Sequence, residues 1–101
     1  MAAFLYEFEW NPVKARANLR KHGVDFERAA QVFRDPLALT IPDDEHSESE
    51  VRWVTLGKDM KGRYLLVVHT FEQLADERGR IRMISARPPT TAEIRAYEEE
   101  S

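Results

Sequence analysis

Aromatic residues at every second position predict a β-strand at the start of the chain. They fall on one face of an extended segment over residues 4–10: Phe4, Tyr6, Phe8 and Trp10. Asn11-Pro12 then predicts a helix start, because asparagine accepts a hydrogen bond from a free backbone amide and proline tolerates the first helical position. The helix continues over residues 13–22, and Gly23 is the left-handed residue expected at its end.

A second helix is predicted to begin after Asp25 and to end at Asp35-Pro36. Its apolar residues recur at helical spacing on one stripe: Phe26, Ala29, Ala30 and Phe33. Short apolar runs separated by turn residues predict four strands, over residues 37–41, 51–57, 63–71 and 80–87. Thr90 and Glu93 have the spacing of a capping box, which opens a last helix through about residue 99.

The predicted element order is βααββββα within one domain, residues 1–101. Four consecutive strands with short connections form an antiparallel meander, because parallel neighbours need long crossovers. The expected fold class is therefore α+β, with a four- to five-stranded, mainly antiparallel sheet and helices on part of it. The strand that ends in His69 is apolar on both faces, so it is expected near the centre. Part of one sheet face is left for a ligand.

Composition and charge change this picture only locally. The chain is 43% hydrophobic and 33% charged, as in ordinary globular proteins, and its net charge is −3. Much of the acid lies in residues 42–50 and 98–100, whereas residues 58–87 hold seven cations against four carboxylates. Eleven of the 15 basic residues are arginine, whose planar fork suits phosphate. These arginines are interpreted either as a phosphate-binding surface or as an ordinary solvated face.

Several classes of function find no support in the sequence. The chain has no cysteine, which excludes disulfides and thiolate metal sites and favours a reducing cytoplasm. It has no export signal, no apolar run long enough for a membrane helix, and no recognised metal, nucleotide or serine-nucleophile motif. A metal site would have to use residues of the acidic loop, which are better interpreted as solvated: Asp43, Asp44, Glu45 and His46. No cofactor is expected.

His69 is the strongest candidate for proton transfer, because histidine titrates near neutral pH. A neighbouring strand carries three arginines that suit a phosphate: Arg80, Arg82 and Arg87. The alternative interpretation is a hydrogen-bonded histidine at a strand end beside exposed arginines. In an ideal strand Arg80 and Arg82 share one face and Arg87 points to the other, unless a bulge turns it.

Three further residues are weaker candidates for contact with a phosphate. Lys21 and His22 end the first helix, where a cation also favours the helix dipole. A structural cap explains His22 adequately, and Lys21 stays open. Arg63 has the parity of His69 but lies about 20 Å away along its strand. Arg63 and His69 therefore cannot hold one phosphate unless a turn folds Arg63 back.

The chain resembles the BrnT family of toxins, RelE-like ribonucleases of type II toxin–antitoxin systems. The resemblance runs over nearly the whole chain, and its specificity lies in the order and spacing of five runs. These are Phe8-Glu9-Trp10-Asn11-Pro12, Asn18-Leu19-Arg20-Lys21-His22-Gly23-Val24-Asp25-Phe26, Ala29-Ala30-Gln31-Val32-Phe33, Asp35-Pro36-Leu37-Ala38 and Ile81-Arg82-Met83-Ile84-Ser85-Ala86-Arg87.

The resemblance implies a RelE-like fold, cleavage of RNA that arrests growth, and neutralisation by a BrnA-type antitoxin. Such a partner carries a ribbon-helix-helix DNA-binding domain, so operator DNA is bound only through the toxin–antitoxin complex, typically a heterotetramer. The chain itself is expected in the cytoplasm and away from membranes.

The family's site expectations fall on matching positions of this sequence. His69 is expected to transfer a proton while Arg82 and Arg87 stabilise the charge that develops when a 2′-hydroxyl attacks phosphorus, with no metal. The residues expected to guide the RNA are Lys21, His22, Arg80 and Arg63. Residues 73–77 make the hairpin after His69 slightly longer than the family often shows, so the His69–Arg82 register is left open.

Two other functions remain open at this point. The chain is alternatively a non-catalytic co-repressor subunit whose basic face helps its partner hold operator DNA, with salt-sensitive binding and no RNA cleavage. It is otherwise a structural interaction protein whose uncovered sheet face only docks a helix of the partner. Toxicity on solo expression, with RNA cleavage in metal-free buffer, distinguishes the enzyme from both.

Overall fold

A computed structural model describes residues 4–44 and 50–100 of the chain. The elements follow the predicted βααββββα order, with a 3₁₀ turn (Gln31–Arg34) directly after the second helix. They are β1 (Leu5–Glu9), α1 (Pro12–His22), α2 (Phe26–Ala30), β2 (Leu39–Pro42), β3 (Trp53–Lys58), β4 (Tyr64–Ala75), β5 (Arg78–Arg87) and α3 (Thr91–Glu100).

The five strands form one sheet in the order β1-β5-β4-β3-β2. Strands β2 to β5 are the predicted antiparallel meander, and β4 is the central strand. Strand β1 pairs with β5 in parallel at one edge, and α1 and α2 carry the chain from there across the sheet to β2 at the other edge. The α+β class and the mainly antiparallel sheet are thus confirmed.

The predicted helix caps are present with their expected hydrogen bonds. Asn11 Oδ1 accepts from the backbone N–H of Val13 at 2.8 Å, and Gly23 ends α1 with a φ of 70°. At α3, Glu93 accepts from the Thr90 backbone N–H at 2.7 Å, and the Glu93 N–H donates to the Thr90 hydroxyl at 3.2 Å. These local patterns set the helix boundaries independently of the rest of the fold.

Helices α1 and α2 cover one side of the sheet, called here the helix face, which carries Leu65, Val67 and His69 of β4. The main hydrophobic core lies between them: Val24, Phe26, Ala29, Val32, Leu65, Val67, Ile81, Met83 and Ala86. Phe8 of β1 and Trp10, which directly follows this strand, extend this layer because they pack against the same core. This side of the sheet is closed by the protein's own helices.

Asn18 joins α1 to the end of β5 through buried hydrogen bonds. Its amide nitrogen donates to the carbonyl oxygens of Val24 and Ala86 at 3.0 and 2.9 Å, and its amide oxygen accepts from the Ala86 N–H at 3.0 Å. Strand β1 ends before this part of β5, so the side chain of Asn18 takes the place of a neighbouring strand. The last turn of α1 therefore lies beside the strand end that carries Arg87.

The opposite side of the sheet, called here the groove face, carries Leu66, Val68 and Thr70 of β4 and is only partly covered. Helix α3 packs on one end of it, where Tyr97 meets Leu56 and Leu66. The Tyr97 hydroxyl donates to Asp35 Oδ2 at 2.9 Å, which anchors α3 to the rest of the fold. Beyond α3, no element of the described part of the chain covers the groove face.

Two elements differ in length from the sequence prediction. Strand β4 continues to Ala75 and β5 begins at Arg78, so the connection between them is a two-residue turn. The second helix is α-helical only to Ala30 and tightens to a 3₁₀ turn before Asp35. No helix in the part of the chain that the structure describes is long and apolar enough to cross a membrane.

Candidate functional site

A β-bulge in β5 decides which side chains share the groove face. In the β4–β5 ladder Met83 pairs with His69 and Ser85 pairs with Val68, so Ile84 is an extra residue without a partner in β4. An extra residue shifts the alternation of side chains by one position along the bulged strand. The residues of β5 after Ile84 therefore face opposite to what simple alternation predicts.

Arg82 and Arg87 lie on the same face because of this bulge. Arg82 is opposite Thr70 and Arg87 is opposite Leu66, and these two partners are both on the groove face of β4. Four residue positions separate the partners, which is about 13 Å along the strand. The structure thus brings together the two arginines that ideal alternation would have separated.

Each of these arginines is held by a carboxylate from another element. Arg82 pairs with Glu50, which precedes β3. Arg87 pairs with Glu93 of α3 through two hydrogen bonds of 2.9 and 3.0 Å. The hydrogen bonds from Arg87 hold the pKa of Glu93 below its usual range, and the same contact raises the pKa of Arg87. Both side chains remain more than a third exposed, so other anions can reach them.

The arginines of β5 continue as a row of charge pairs toward the β1 edge. Arg80 contacts Glu72 of β4 at 3.0 Å and Glu9 of β1 at 3.9 Å. Arg80, Arg82 and Glu50 line a small cleft of about 280 Å³ on the groove face. This cleft is polar and open, as expected for a surface that exchanges anions with solvent.

A larger groove of about 940 Å³ lies next to the cleft on the same face. Its floor is aliphatic and comes from four strands: Leu39, Val54, Val68 and Ile84. Its walls include Arg87 and Glu93 on one side and Arg52 on another. The groove and the arginine cleft are therefore neighbouring parts of one face, and residues 4–44 and 50–100 leave both uncovered.

His69 lies on the helix face and is 2% exposed. Its Nδ1 is 2.9 Å from the Thr70 carbonyl oxygen, which can only accept, so Nδ1 carries the proton of the neutral ring. Nε2 then accepts from the Thr55 hydroxyl at 2.7 Å, and Thr40 donates to Thr55 at 2.8 Å. The edge of the imidazole also meets the Phe33 ring, with centroids 4.8 Å apart. Burial lowers the pKa of His69.

The structure does not bring His69 together with the arginines. The imidazole and the pair of Arg82 and Arg87 are on opposite faces of the sheet, and both ring nitrogens have internal partners. The alternative interpretation of a hydrogen-bonded structural histidine describes this arrangement. Direct proton transfer by His69 stays a prediction, and in this conformation the ring has no access to a ligand on the groove face.

Arg63 is tied to the turn between β3 and β4. Its Nε donates to the buried carboxylate of Asp59 at 2.9 Å, and Arg28 of α2 donates to the same carboxylate at 2.7 Å. Burial raises the pKa of Asp59, but the hydrogen bonds from Arg63, Lys61 and Arg28 outweigh it and bring the pKa to about 2. Arg63 is thus part of a folding contact far from Arg82.

Lys21 and His22 lie in the last turn of α1. They are three and four residues after Asn18, so they occupy the same side of the helix, next to the end of β5. Lys21 is exposed and forms no ion pair within residues 4–44 and 50–100. The structure therefore brings these two residues toward the strand end of Arg87, while it leaves Arg63 elsewhere.

Sequence reasoning missed Glu50 and Glu93 as partners of the arginines. Glu93 was recognised only as a capping residue, and Glu50 only as one acid of a charged loop. No local pattern connects either carboxylate to β5, because the contacts join residues 32 and 6 positions apart through the tertiary fold.

No group of three or more metal-ligating side chains lies together in the part of the chain that the structure describes. Of the four acidic-loop residues considered as metal ligands, Asp43 and Asp44 are described. Glu45 and His46 lie outside the described residues.

Comparisons with known proteins agree with the fold. A family profile described as "Ribonuclease toxin, BrnT, of type II toxin-antitoxin system" matches residues 10–93. The crystal structure of the ribonuclease toxin BrnT from Brucella abortus superposes with a TM-score of 0.58. It is 20% identical in sequence, and the alignment covers 86% of this chain and 99% of that one. A search of curated proteins gives no match.

Proposed function

The chain belongs to the BrnT family of ribonuclease toxins of type II toxin–antitoxin systems, and we propose that it is an endoribonuclease that needs no metal ion. In this mechanism a 2′-hydroxyl of the RNA attacks the neighbouring phosphorus and the 5′-oxygen leaves. The reaction requires a proton acceptor, a proton donor and cations around the phosphate. Guanidinium groups supply the cations.

One observation carries the proposal: Arg82 and Arg87 share the open groove face. Each is paired with a single carboxylate, and the two non-bridging oxygens of a phosphodiester can likewise accept hydrogen bonds from a guanidinium group. A bound RNA segment would displace Glu50 and Glu93 and take both guanidinium forks. The negative charge that develops on the phosphorane strengthens these contacts in the transition state.

Three further side chains are proposed to guide the RNA. Arg80 extends the arginine row toward β1, and Lys21 and His22 lie beside the strand end that carries Arg87. Arg80 adds positive charge next to Arg82, and Lys21 adds it near the strand end of Arg87. Arg63 was expected to share this role, but its contact with Asp59 supports a role in folding instead.

Proton transfer has two candidates with different access. His69 was predicted from its residue type, and as a direct acid or base it would need local opening of the helix face. Glu50 is only 38% exposed as a side chain but lies on the groove face against Arg82. After RNA displaces it from Arg82, this carboxylate would remain next to the bound phosphate and could accept the 2′-hydroxyl proton. The variants Glu50→Gln and His69→Gln distinguish the two candidates. The variant with the lower kcat identifies the residue that transfers the proton.

The proposed activity is tested by incubating the purified chain with RNA in buffer that contains EDTA. We expect cleavage that persists without divalent ions and fragments that end in a 2′,3′-cyclic phosphate. A Mg²⁺ requirement, or fragments with 3′-hydroxyl ends, would contradict the mechanism. Absence of cleavage, together with salt-sensitive operator binding of the antitoxin complex, would favour the non-catalytic co-repressor.

The family implies an antitoxin partner, and we assign it the BrnA type with a ribbon-helix-helix DNA-binding domain. In that assembly the toxin reaches operator DNA only through its partner. A cytoplasmic location follows from the proposed RNA substrate and agrees with the absence of cysteine. Co-purification of the two proteins and analysis of their stoichiometry test this part of the proposal.

A further inference from the structure

From the shape and chemistry of the groove, we infer that it is the docking site for an amphipathic helix of the antitoxin. The inference rests on the proposed function, because it takes the partner to be an antitoxin that stops RNA cleavage. It adds the surface that the partner occupies, the chemistry of the segment that fits it and the way in which binding inhibits.

The groove floor is unsuited to RNA. Its apolar residues are aliphatic, with Val68 and Ile84 at the centre, and no aromatic ring lines it within residues 4–44 and 50–100. Bases of single-stranded RNA are usually held by stacking on aromatic rings or guanidinium planes. An aliphatic floor instead matches Leu, Ile and Val side chains of a protein. The groove is therefore assigned to a polypeptide.

The layer structure of the fold favours a helix in this position. The helix face is covered by α1 and α2, whereas among the described residues the groove face is covered by α3 alone, which meets the sheet at one end. Ile41 of the edge strand β2 is left 60% exposed beside this groove. A sheet with an apolar face is stable when another layer covers it, and a helix laid beside α3 completes that layer.

The charges around the groove predict which residue types lie beside the apolar stripe of this helix. Arg52 and Arg87 stand on the groove walls, and Arg82 lies in the adjoining cleft. A helix with an aliphatic stripe flanked by Asp or Glu would cover the floor and place carboxylates at these guanidinium groups. Its carboxylates would bind Arg87 as a phosphate does, so antitoxin and RNA would compete for one cation. Inhibition then follows from occupation of the groove.

The test compares two substitutions of equally exposed aliphatic residues on the groove face. Ile41→Glu puts a charge at the groove, and Leu5→Glu puts the same charge on β1, at the opposite edge of the sheet. Ile41 and Leu5 are 60% and 62% exposed, so both variants are expected to fold. Affinity for the purified cognate antitoxin is measured by calorimetry, together with growth of cells that express both proteins.

We expect Ile41→Glu to weaken antitoxin binding by at least about 100-fold, because the new carboxylate would be buried against the aliphatic stripe of the helix. It should cleave RNA like the wild type and escape neutralisation in cells. Leu5→Glu should bind the antitoxin and be neutralised as the wild type is. Binding is measured without RNA, so the result stands even when the wild type shows no ribonuclease activity.

Three outcomes would overturn the inference. Unchanged antitoxin affinity of Ile41→Glu means that the helix binds elsewhere. Loss of RNA cleavage with normal antitoxin binding means that the groove holds RNA. Self-association of the wild type in sedimentation that Ile41→Glu abolishes, with normal antitoxin binding, means that a second copy of the chain covers the groove.

Discussion

Arg82 and Arg87 lie on the same face of the sheet, opposite Thr70 and Leu66 of the central strand, although simple alternation along β5 would separate them. The extra residue Ile84 accounts for the difference. The bulge thus places Arg87 on the same open face of the sheet as Arg82. The proposed ribonuclease site depends on this pairing.

Replacing Arg82 by Ala is expected to lower kcat/KM for RNA cleavage by about 10²–10³-fold, because one cation that stabilises the phosphorane is lost. Arg78→Ala is the matched control. Arg78 lies on the same face of β5 and is also paired with a glutamate, Glu7, but at the far end of the strand. Its variant should cleave within a fewfold of the wild type. Equal losses in both variants would indicate a general charge effect and no specific role for Arg82.

Replacing His69 by Ala is expected to lower the free energy of unfolding by about 2–4 kcal/mol, because a buried ring and its hydrogen bonds are lost. Urea denaturation measures this change. Thr55→Val removes the partner of Nε2 and serves as the control. If His69 is structural, both variants should retain cleavage when assayed under conditions where they are folded. Loss of cleavage in His69→Ala alone would support its direct role in proton transfer.

His69 also predicts a pH dependence of stability. Burial lowers its pKa in the folded protein below the ordinary 6.5. Below pH 6.5 the unfolded chain therefore binds a proton that the folded chain does not, and the folded state loses stability as pH falls toward the lowered pKa. The drop in Tm between pH 7 and 5 should be smaller in His69→Gln than in the wild type. An identical drop in both proteins would show that other groups cause it.

Asp59 predicts a second loss of stability at lower pH. Its folded-state pKa of about 2 lies below the ordinary 3.8, so its stabilising contribution is complete above about pH 4 and is lost as pH falls toward 2. Asp59→Asn should be less stable than the wild type at pH 7, and the difference should shrink toward pH 2. Denaturant titrations at several pH values measure it, and a difference that does not vary with pH would contradict the assignment.

Substitutions of Arg63 and Arg80 distinguish a side chain that stabilises the fold from one that contacts RNA. Arg80→Ala is expected to raise KM for RNA severalfold, because it removes a cation from the open cleft. Arg63→Ala should lower thermal stability slightly with little change in KM, because its partner is the buried Asp59. Steady-state kinetics and thermal melts on both variants provide the comparison. A rise in KM for Arg63→Ala as large as that for Arg80→Ala would restore Arg63 to the RNA-binding surface.

Local chemistry explains why much of the fold was predictable from sequence. Asn11 and Gly23 bound the first helix through contacts with residues a few positions away, and Thr90 and Glu93 do the same for the last one. Short turns between strands force an antiparallel meander, and an apolar run on both faces marks β4 as central. The family resemblance rests on the same ordered segments, and residues 10–93 match the family profile.

The arrangement of the candidate site was decided only by tertiary structure. Whether β5 contains a bulge depends on its register with β4, and a shift of one position moves a side chain to the other face. That register separated His69 from the arginines and joined Arg82 to Arg87. The sequence by itself determined the elements, their order and the residue types available for chemistry. The pairing between distant strands determined which of those residues meet. The face to which a side chain points depends on how its strand pairs with its neighbours, and the local sequence does not specify that pairing.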